Sequence, residues 1–161
     1  MIKKFNILFI TLFKIGNLKY APGTIASFIT CAFFLILNNY FSITTIFFIT
    51  VICFLYSLIA ISNSYETFDS KDPQEIVIDE FIGQLLPLIA IPIYETLYPV
   101  PSLYYCIAAF GVFRFFDIIK PFPINYIDNN TKGAMGVLLD DVVAGLFSIF
   151  TLSIIFFFLG G

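Results

Sequence analysis

The sequence predicts an all-α, polytopic integral membrane helical bundle of four to five spans with an interfacial N-terminal helix, forming one membrane-embedded domain over residues 1–161. Three observations predict it. Of the 161 residues, 60% are hydrophobic and 12% charged, with a mean hydropathy of +0.98. A soluble domain of this length carries about 25% charged residues to solvate its surface. Five apolar stretches, at about 25–38, 41–61, 81–98, 103–118 and 142–159, are separated by short polar segments. When successive stretches cross in alternate directions, the charges fall almost entirely on one side.

The N-terminus, MIKKFNILFITLFK, pairs two lysines with a short apolar run, as a signal peptide does. No small-residue cleavage motif follows before Lys14, Lys19 and Pro22, which favours a short interfacial or packed helix. The first stretch is short for a span of about 20 residues. The third carries Pro87 and Pro92, which predicts a tilted, kinked or partly re-entrant helix. With the N-terminus in the cytoplasm, all eight basic residues (Lys3, Lys4, Lys14, Lys19, Lys71, Arg114, Lys120 and Lys132) share that face. Ten of the eleven acids gather there too, and Glu95 lies near the opposite side.

The net charge of −3 offers no basic face for nucleic acid. The chain has no histidine, which removes Ser-His-Asp catalysis, phosphohistidine chemistry, His-ligated zinc and the commonest general base. Cys31, Cys53 and Cys106 lack CxxC spacing and read as small buried hydrophobes. Cys106 and Arg114 are too far apart for a Cys-x5-Arg phosphatase loop. Chemistry therefore rests on carboxylates, hydroxyls, Lys, Arg or a metal held by oxygen.

Three segments supply those groups. In SKDPQEIVIDEFIG, Asp72, Pro73 and Glu75 read as a helix start with an N-cap, an N1 proline and a reciprocal N3 acid. That start puts Asp79 about two turns in, with Gly83 one turn later on the same face, where a small residue admits a neighbouring helix. Asp79 and Glu80 are either a solvated interfacial pair or a cation site; adjacent like charges beside an apolar run favour the cation. In VFRFFDIIKPFPINYIDNN, Arg114, Asp117 and Lys120 follow i, i+3, i+6 spacing on one helix face, and Pro121 and Pro123 end the helix. Arg114 and Lys120 suit phosphate oxygens, or else an intrahelical pair with a snorkelling lysine. Asp128 belongs equally to a site or to a simple turn. In KGAMGVLLDDVVAGLF, Gly133 and Gly136 permit tight backbone, and Asp140–Asp141 open the last stretch. Aliphatics, two acids, two apolar residues and a small residue (Gly83 or Ala144) occur in both halves, as a faint repeat or by chance. Finally, Pro22-Gly23-Thr24 with Ser27 reads either as phosphate-binding backbone at a helix N-terminus or as a turn with Thr24 as N-cap.

Hard oxygen ligands without His or Cys point to Mg²⁺. A metal-activated water attacking a phosphate monoester of a lipid, its tails left in the bilayer, suits this inventory. The alternative is a cation- or proton-coupled membrane transporter, since intramembrane acids also carry ions; against it, the acids lie at one face.

The stretches APGTIAS (21–27), IVIDEFIG (76–83), FRFFDIIKPFPINYID (113–128) and GAMGVLLDDVVAG (133–145) resemble, in order and spacing, the motifs of the phosphatidylglycerophosphatase A family. The resemblance implies a Mg²⁺-dependent phosphatase that converts phosphatidylglycerophosphate to phosphatidylglycerol and inorganic phosphate in phosphatidylglycerol and cardiolipin synthesis. It implies an enzyme of the inner membrane, with its site facing the cytoplasm. By motif position Asp79, Glu80, Asp140 and Asp141 are the expected metal ligands. Asp79, Asp117, Asp128 and Asp141 are the expected catalytic acids, and Arg114, Lys120, Gly23 and Thr24 the expected phosphate contacts. Direct water attack is favoured over an aspartyl-phosphate, because the D-x-D-x-[TV] signature is absent.

Overall fold

The computed structural model describes residues 2–68, 74–98 and 101–159. Among these residues the chain forms helices and no strand: α1 (Ile2–Ile10), α2 (Pro22–Leu37), α3 (Ile43–Ser64), α4 (Ile78–Ile89), α5 (Ile91–Leu97), α6 (Ser102–Ile119), α7 (Ile124–Asn130) and α8 (Gly133–Leu159). Four runs are long and apolar enough to cross a membrane: α3, α4 with α5, α6 and α8. The apolar α2 is shorter, with 16 residues. At 1.5 Å per residue it covers about 24 Å, less than a hydrocarbon core of about 30 Å. The expected polytopic helical bundle is thus present, with four candidate spans and one shorter companion among the described residues.

The helices are built inside out relative to a soluble protein. In α3 the small polar residues Thr50, Ser57 and Ser64 recur every seven positions and are buried. The Thr50 hydroxyl donates to the Ile46 carbonyl at 2.9 Å and Ser57 to Cys53 at 2.7 Å. Hydroxyls satisfied within their own helix cost little in an apolar seam and let neighbouring backbones approach. The other face of α3 turns Phe48, Ile52, Leu55 and Ile59 outward.

The third stretch breaks as its prolines predict. Pro92 has no N–H, and its ring excludes the helical position of the Leu88 carbonyl, so α4 ends and α5 restarts around Ala90. The start of α4 departs from expectation. Glu75 sits in an exposed turn and α4 begins at Ile78; Asp72 and Pro73 lie outside the described residues. Residues 76 and 77 are pulled into the core instead, where the Val77 N–H donates to the Ile10 carbonyl at 3.0 Å. Asp79 therefore occupies the first turn of α4 and does not lie about two turns in.

α1 is both packed and amphipathic. Its buried Asn6 accepts from the Tyr56 hydroxyl at 2.8 Å, and Phe9 meets the Tyr56 ring edge-on at 4.9 Å. Lys3, Lys4 and Phe5 face outward. Leu12, Phe13 and Lys14 all have positive φ (44°, 55° and 76°) and reverse the chain toward α2. At the other end of the sequence, Pro121 and Pro123 stop α6 at Ile119 as expected. Asp128 belongs to the short helix α7, not to a turn: the Asn129 and Asn130 amides donate back four residues, to the carbonyls of Asn125 and Tyr126, both at 2.7 Å.

Alternating helix directions collect the starts of α2, α4 and α8 and the ends of α3 and α6 at one end of the bundle. An apolar cluster that includes Ile10, Ile61, Ile78, Ile82 and Leu138 lies beneath that end. A second, with Phe34, Ile46, Leu88, Ile91, Tyr105 and Leu152, fills the far half, and a small third joins Phe113, Ile124 and Ala144.

Candidate active site

The site begins with a backbone crossing. A Cβ on Gly83 would lie 2.7 Å from the Asp141 carbonyl oxygen and 2.8 Å from the Phe113 ring. A Cβ on Gly145 would lie 2.5 Å from the Gly83 carbonyl oxygen. Only glycine at both positions lets α4 and α8 touch main chain to main chain. Asp79 stands one turn before Gly83 and Asp141 one turn before Gly145, so the crossing brings these two carboxylates together. Carboxylate oxygens of Asp79, Glu80 and Asp141 all lie within 4.8 Å of one another. The apparent repeat is therefore closed by Gly145, one position beyond Ala144.

Glu80 turns toward the start of α2. Its carboxylate occupies the space that a side chain on residue 23 would need, so Gly23 is what admits it. The first turn of α2 then presents its positive end to Glu80. Thr24 is not the N-cap: Ala21 holds that position in a left-handed conformation (φ 44°), with Pro22 at N1 and no side-chain cap.

The electrostatics of the trio need a counter-charge. At 4.8 Å and an effective dielectric of about 20, each pair of carboxylates repels by about 3 kcal/mol, hence roughly 10 kcal/mol for three pairs. Helix ends offset only about 0.3–1 kcal/mol per acid. No basic side chain makes an ion pair with any of the three among the described residues. One oxygen each of Asp79, Glu80, Asp140 and Asp141 is shielded from solvent and has no hydrogen-bond partner. A positive ion shared among them satisfies both the repulsion and the unpartnered oxygens, and Asp79, Glu80 and Asp141 could hold it.

The cations near the trio are bound to other acids. Arg114 pairs with Asp117 one turn on, and its Nη1 lies 3.5 Å from the Ser27 hydroxyl oxygen. Lys120 leaves the Arg114–Asp117 face because it caps α6 in a left-handed conformation (φ 45°). Its ammonium donates to Asp128 at 2.8 Å and to Asp140 at 2.7 Å. Burial disfavours the charged amine, yet the two carboxylates outweigh it and hold the Lys120 pKa above the ordinary lysine range. Asp140, 6% exposed, thus faces Lys120, while its neighbour Asp141 faces Asp79 and Glu80.

All ten residues expected as metal ligands, catalytic acids or phosphate contacts line one cavity of about 1300 Å³. Sequence reasoning missed Gln84, which is fully buried with neither amide atom partnered. It lies one turn deeper than Glu80 on the same face of α4, and that i, i+4 spacing was the available signal.

The family model for Phosphatidylglycerophosphatase A matches residues 8–156. The chain belongs to the phosphatidylglycerophosphatase A family. It is 34% identical over 137 residues to a Phosphatidylglycerophosphatase A of Haemophilus influenzae, covering 85% of this chain and 80% of that one. A Phosphatidylglycerophosphatase A of Escherichia coli is 40% identical over 77 residues, 48% of this chain and 41% of the relative. A Bacteroides thetaiotaomicron protein, provisionally named a phosphatidylinositol-3-phosphatase, is 33% identical over 145 residues, 88% of this chain and 87% of its own length. No solved structure matches the chain. Membership in the phosphatidylglycerophosphatase A family makes the chain an enzyme of the phosphatase class, and the match spans every candidate site residue.

Proposed function

We propose that this enzyme hydrolyses the terminal monoester of phosphatidylglycerophosphate, releasing phosphatidylglycerol and inorganic phosphate, in a Mg²⁺-dependent reaction at the cytoplasmic face of the inner membrane. The product serves phosphatidylglycerol and cardiolipin synthesis. The observation that carries the reading is the carboxylate trio with unpartnered oxygens, set beside Arg114 and Lys120 in one cavity at a bundle end. The grouping of basic residues near that end supports the cytoplasmic orientation.

The donor set fits a hard cation: Asp79, Glu80 and Asp141 offer oxygens only, and Asp140 stands beside them as a further acid. Mg²⁺ bound there would neutralise phosphoryl charge and acidify a water. The chain's own groups do the rest. Arg114 turns the part of its guanidinium not engaged by Asp117 to the phosphoryl oxygens. Lys120 adds positive charge while fixing Asp128 and Asp140. The Gly23 and Thr24 amides at the start of α2 add neutral donors. Asp117 or Asp128 takes a proton from the attacking water as its oxygen bonds to phosphorus. The bond from phosphorus to the glycerol oxygen breaks, and that oxygen takes up a proton.

The test is phosphate release by the purified, detergent-solubilised chain, with and without Mg²⁺, beside Asp79→Asn. We expect Mg²⁺-dependent release that falls about 1000-fold in the variant, several kcal/mol of transition-state stabilisation. Full activity in Asp79→Asn, or no release with any divalent ion, overturns the reading. Faster turnover of phosphatidylinositol 3-phosphate reassigns the substrate within the same chemistry.

A further inference from the structure

The cavity is much larger than a phosphoryl group, and its charges are unevenly committed. Four basic residues line it: Lys19, Arg114, Lys120 and Lys132. Arg114 is held by Asp117, and Lys120 by Asp128 and Asp140. Lys19 and Lys132 are exposed and make no ion pair among the described residues. They approach the cavity from separate elements. Lys19 lies in the segment before α2, its ammonium 5.6 Å from the Tyr20 ring centre. Lys132 stands in the link between α7 and α8, directly before Gly133, whose φ of 69° turns the chain into α8.

The charge balance of the cavity gives these two cations a task. Seven acids line the cavity (the exposed Glu75 with Asp79, Glu80, Asp117, Asp128, Asp140 and Asp141), and Arg114, Lys120 and one divalent ion at the trio leave their balance negative. An anionic lipid headgroup entering toward that cluster is repelled unless positive charge meets it first. Lys19 also has the neighbours of a headgroup-plane residue, because Leu18 and Tyr20 are exposed on either side of it. Amphipathic aromatics and lysines with apolar stems settle at that depth.

Resting on the phosphatase reading above, we propose that Lys19 and Lys132 form an outer anion subsite. It takes the phosphodiester of the lipid substrate while the terminal monoester sits at the carboxylate floor. A diester carries a single negative charge shared by two non-bridging oxygens, which two flexible ammonium groups can meet from separate elements. The subsite selects phospholipids that carry a diester as well as a terminal monoester. It discriminates against lipids such as phosphatidic acid, whose single phosphate must occupy the inner site. It also explains why a phosphatase would line so large a cavity with cations its chemistry does not use.

The experiment compares the full chain with a Lys19→Gln/Lys132→Gln variant in mixed micelles at low and high salt. Phosphatidylglycerophosphate is followed as substrate. Phosphatidic acid is followed as substrate or, where its turnover is below detection, as a competitive inhibitor through its Ki. We expect kcat/KM for phosphatidylglycerophosphate to fall 10- to 100-fold, mostly through KM, so that preference over phosphatidic acid collapses. Lys19→Arg/Lys132→Arg restores it, and high salt shrinks the difference. An equal loss for both lipids, or an undiminished preference, overturns the subsite while leaving the phosphatase reading intact. A wild-type chain inactive on both lipids with Mg²⁺ overturns both.

Discussion

At the site end, α4 and α8 meet through Gly83 and Gly145, main chain against main chain, and carry carboxylates one turn away. At the far end the same two segments, now α5 and the last turns of α8, meet through rings. The Tyr94 ring of α5 lies 5.2 Å from the Phe156 ring of α8, and both pack on Tyr105 of α6, at 6.0 and 4.6 Å. Tyrosine hydroxyls tie this layer to the backbone: Tyr105 to the Tyr98 carbonyl at 2.8 Å and Tyr94 to the Ile149 carbonyl at 3.1 Å. Glu95, the acid of that end, is bonded by Ser102. Among the described residues no buried side-chain polar atom at the far end lacks a partner, whereas the site end leaves carboxylate oxygens unpartnered. An end built only for stability would not leave them so.

Three perturbations sharpen this contrast. The largest effect belongs to Gly83→Ala, where the new methyl meets the Asp141 carbonyl and the Phe113 ring, so α4 and α8 must separate. A displacement approaching 1 Å at a reacting centre costs about 100-fold in rate, and the overpacking costs about 1–3 kcal/mol of stability. Phosphate release and thermal unfolding in detergent measure both; near-wild-type turnover would show that the crossing does not set the site.

Lys120→Met comes next. It strands Asp128 and the buried Asp140, an expected loss of about 2–3 kcal/mol. The pH dependence has a definite sign. The Lys120 pKa is raised in the folded state, so its stabilisation is fully present below the unfolded lysine value of about 10.4 and is lost as pH rises through the higher folded value. The stability gap between wild type and variant is therefore flat from pH 7 to about 10 and closes above it. Thermal unfolding of the two proteins across that range checks this, and a gap that closes near neutrality contradicts it.

The smallest effect is Tyr105→Phe at the far end, which removes the hydroxyl that donates to the Tyr98 and Tyr94 carbonyls, costs about 1 kcal/mol and leaves turnover as it was. Calorimetry or a melting curve resolves the shift. Lost activity would mean that the two ends are mechanically linked.

Much of this was legible in the sequence because hydropathy, prolines and charge placement act locally. The four long apolar runs, the break near Pro92 and the gathering of acids at one end follow from those signals. Asp79 with Gly83 was readable from helical spacing alone. What was not legible depends on partners distant in the chain. The start of α4 is set by a hydrogen bond from Val77 to Ile10, so the capping pattern around Glu75 misplaced it. Gly145, not Ala144, makes the crossing because Gly83 lies against it. Lys120 leaves the Arg114 face because its backbone turns left-handed, which no i, i+3 count foresees. Thr24 looked like a cap, but Ala21 takes that place.

The Gly83–Gly145 contact has a consequence for how the chain can vary. Where two helices meet through side chains, a change in one can be absorbed by rotation or by a matching change in the other. Where they meet through carbonyls and α-carbons, no such slack exists, and each position admits a one-letter alphabet. The outward faces of α3 and α8 are the reverse, since Phe, Leu and Ile there are interchangeable to a lipid chain. The specification of this protein is thus concentrated in a few short words at one end of the bundle. Most of its length is free to drift in spelling while the words keep their meaning.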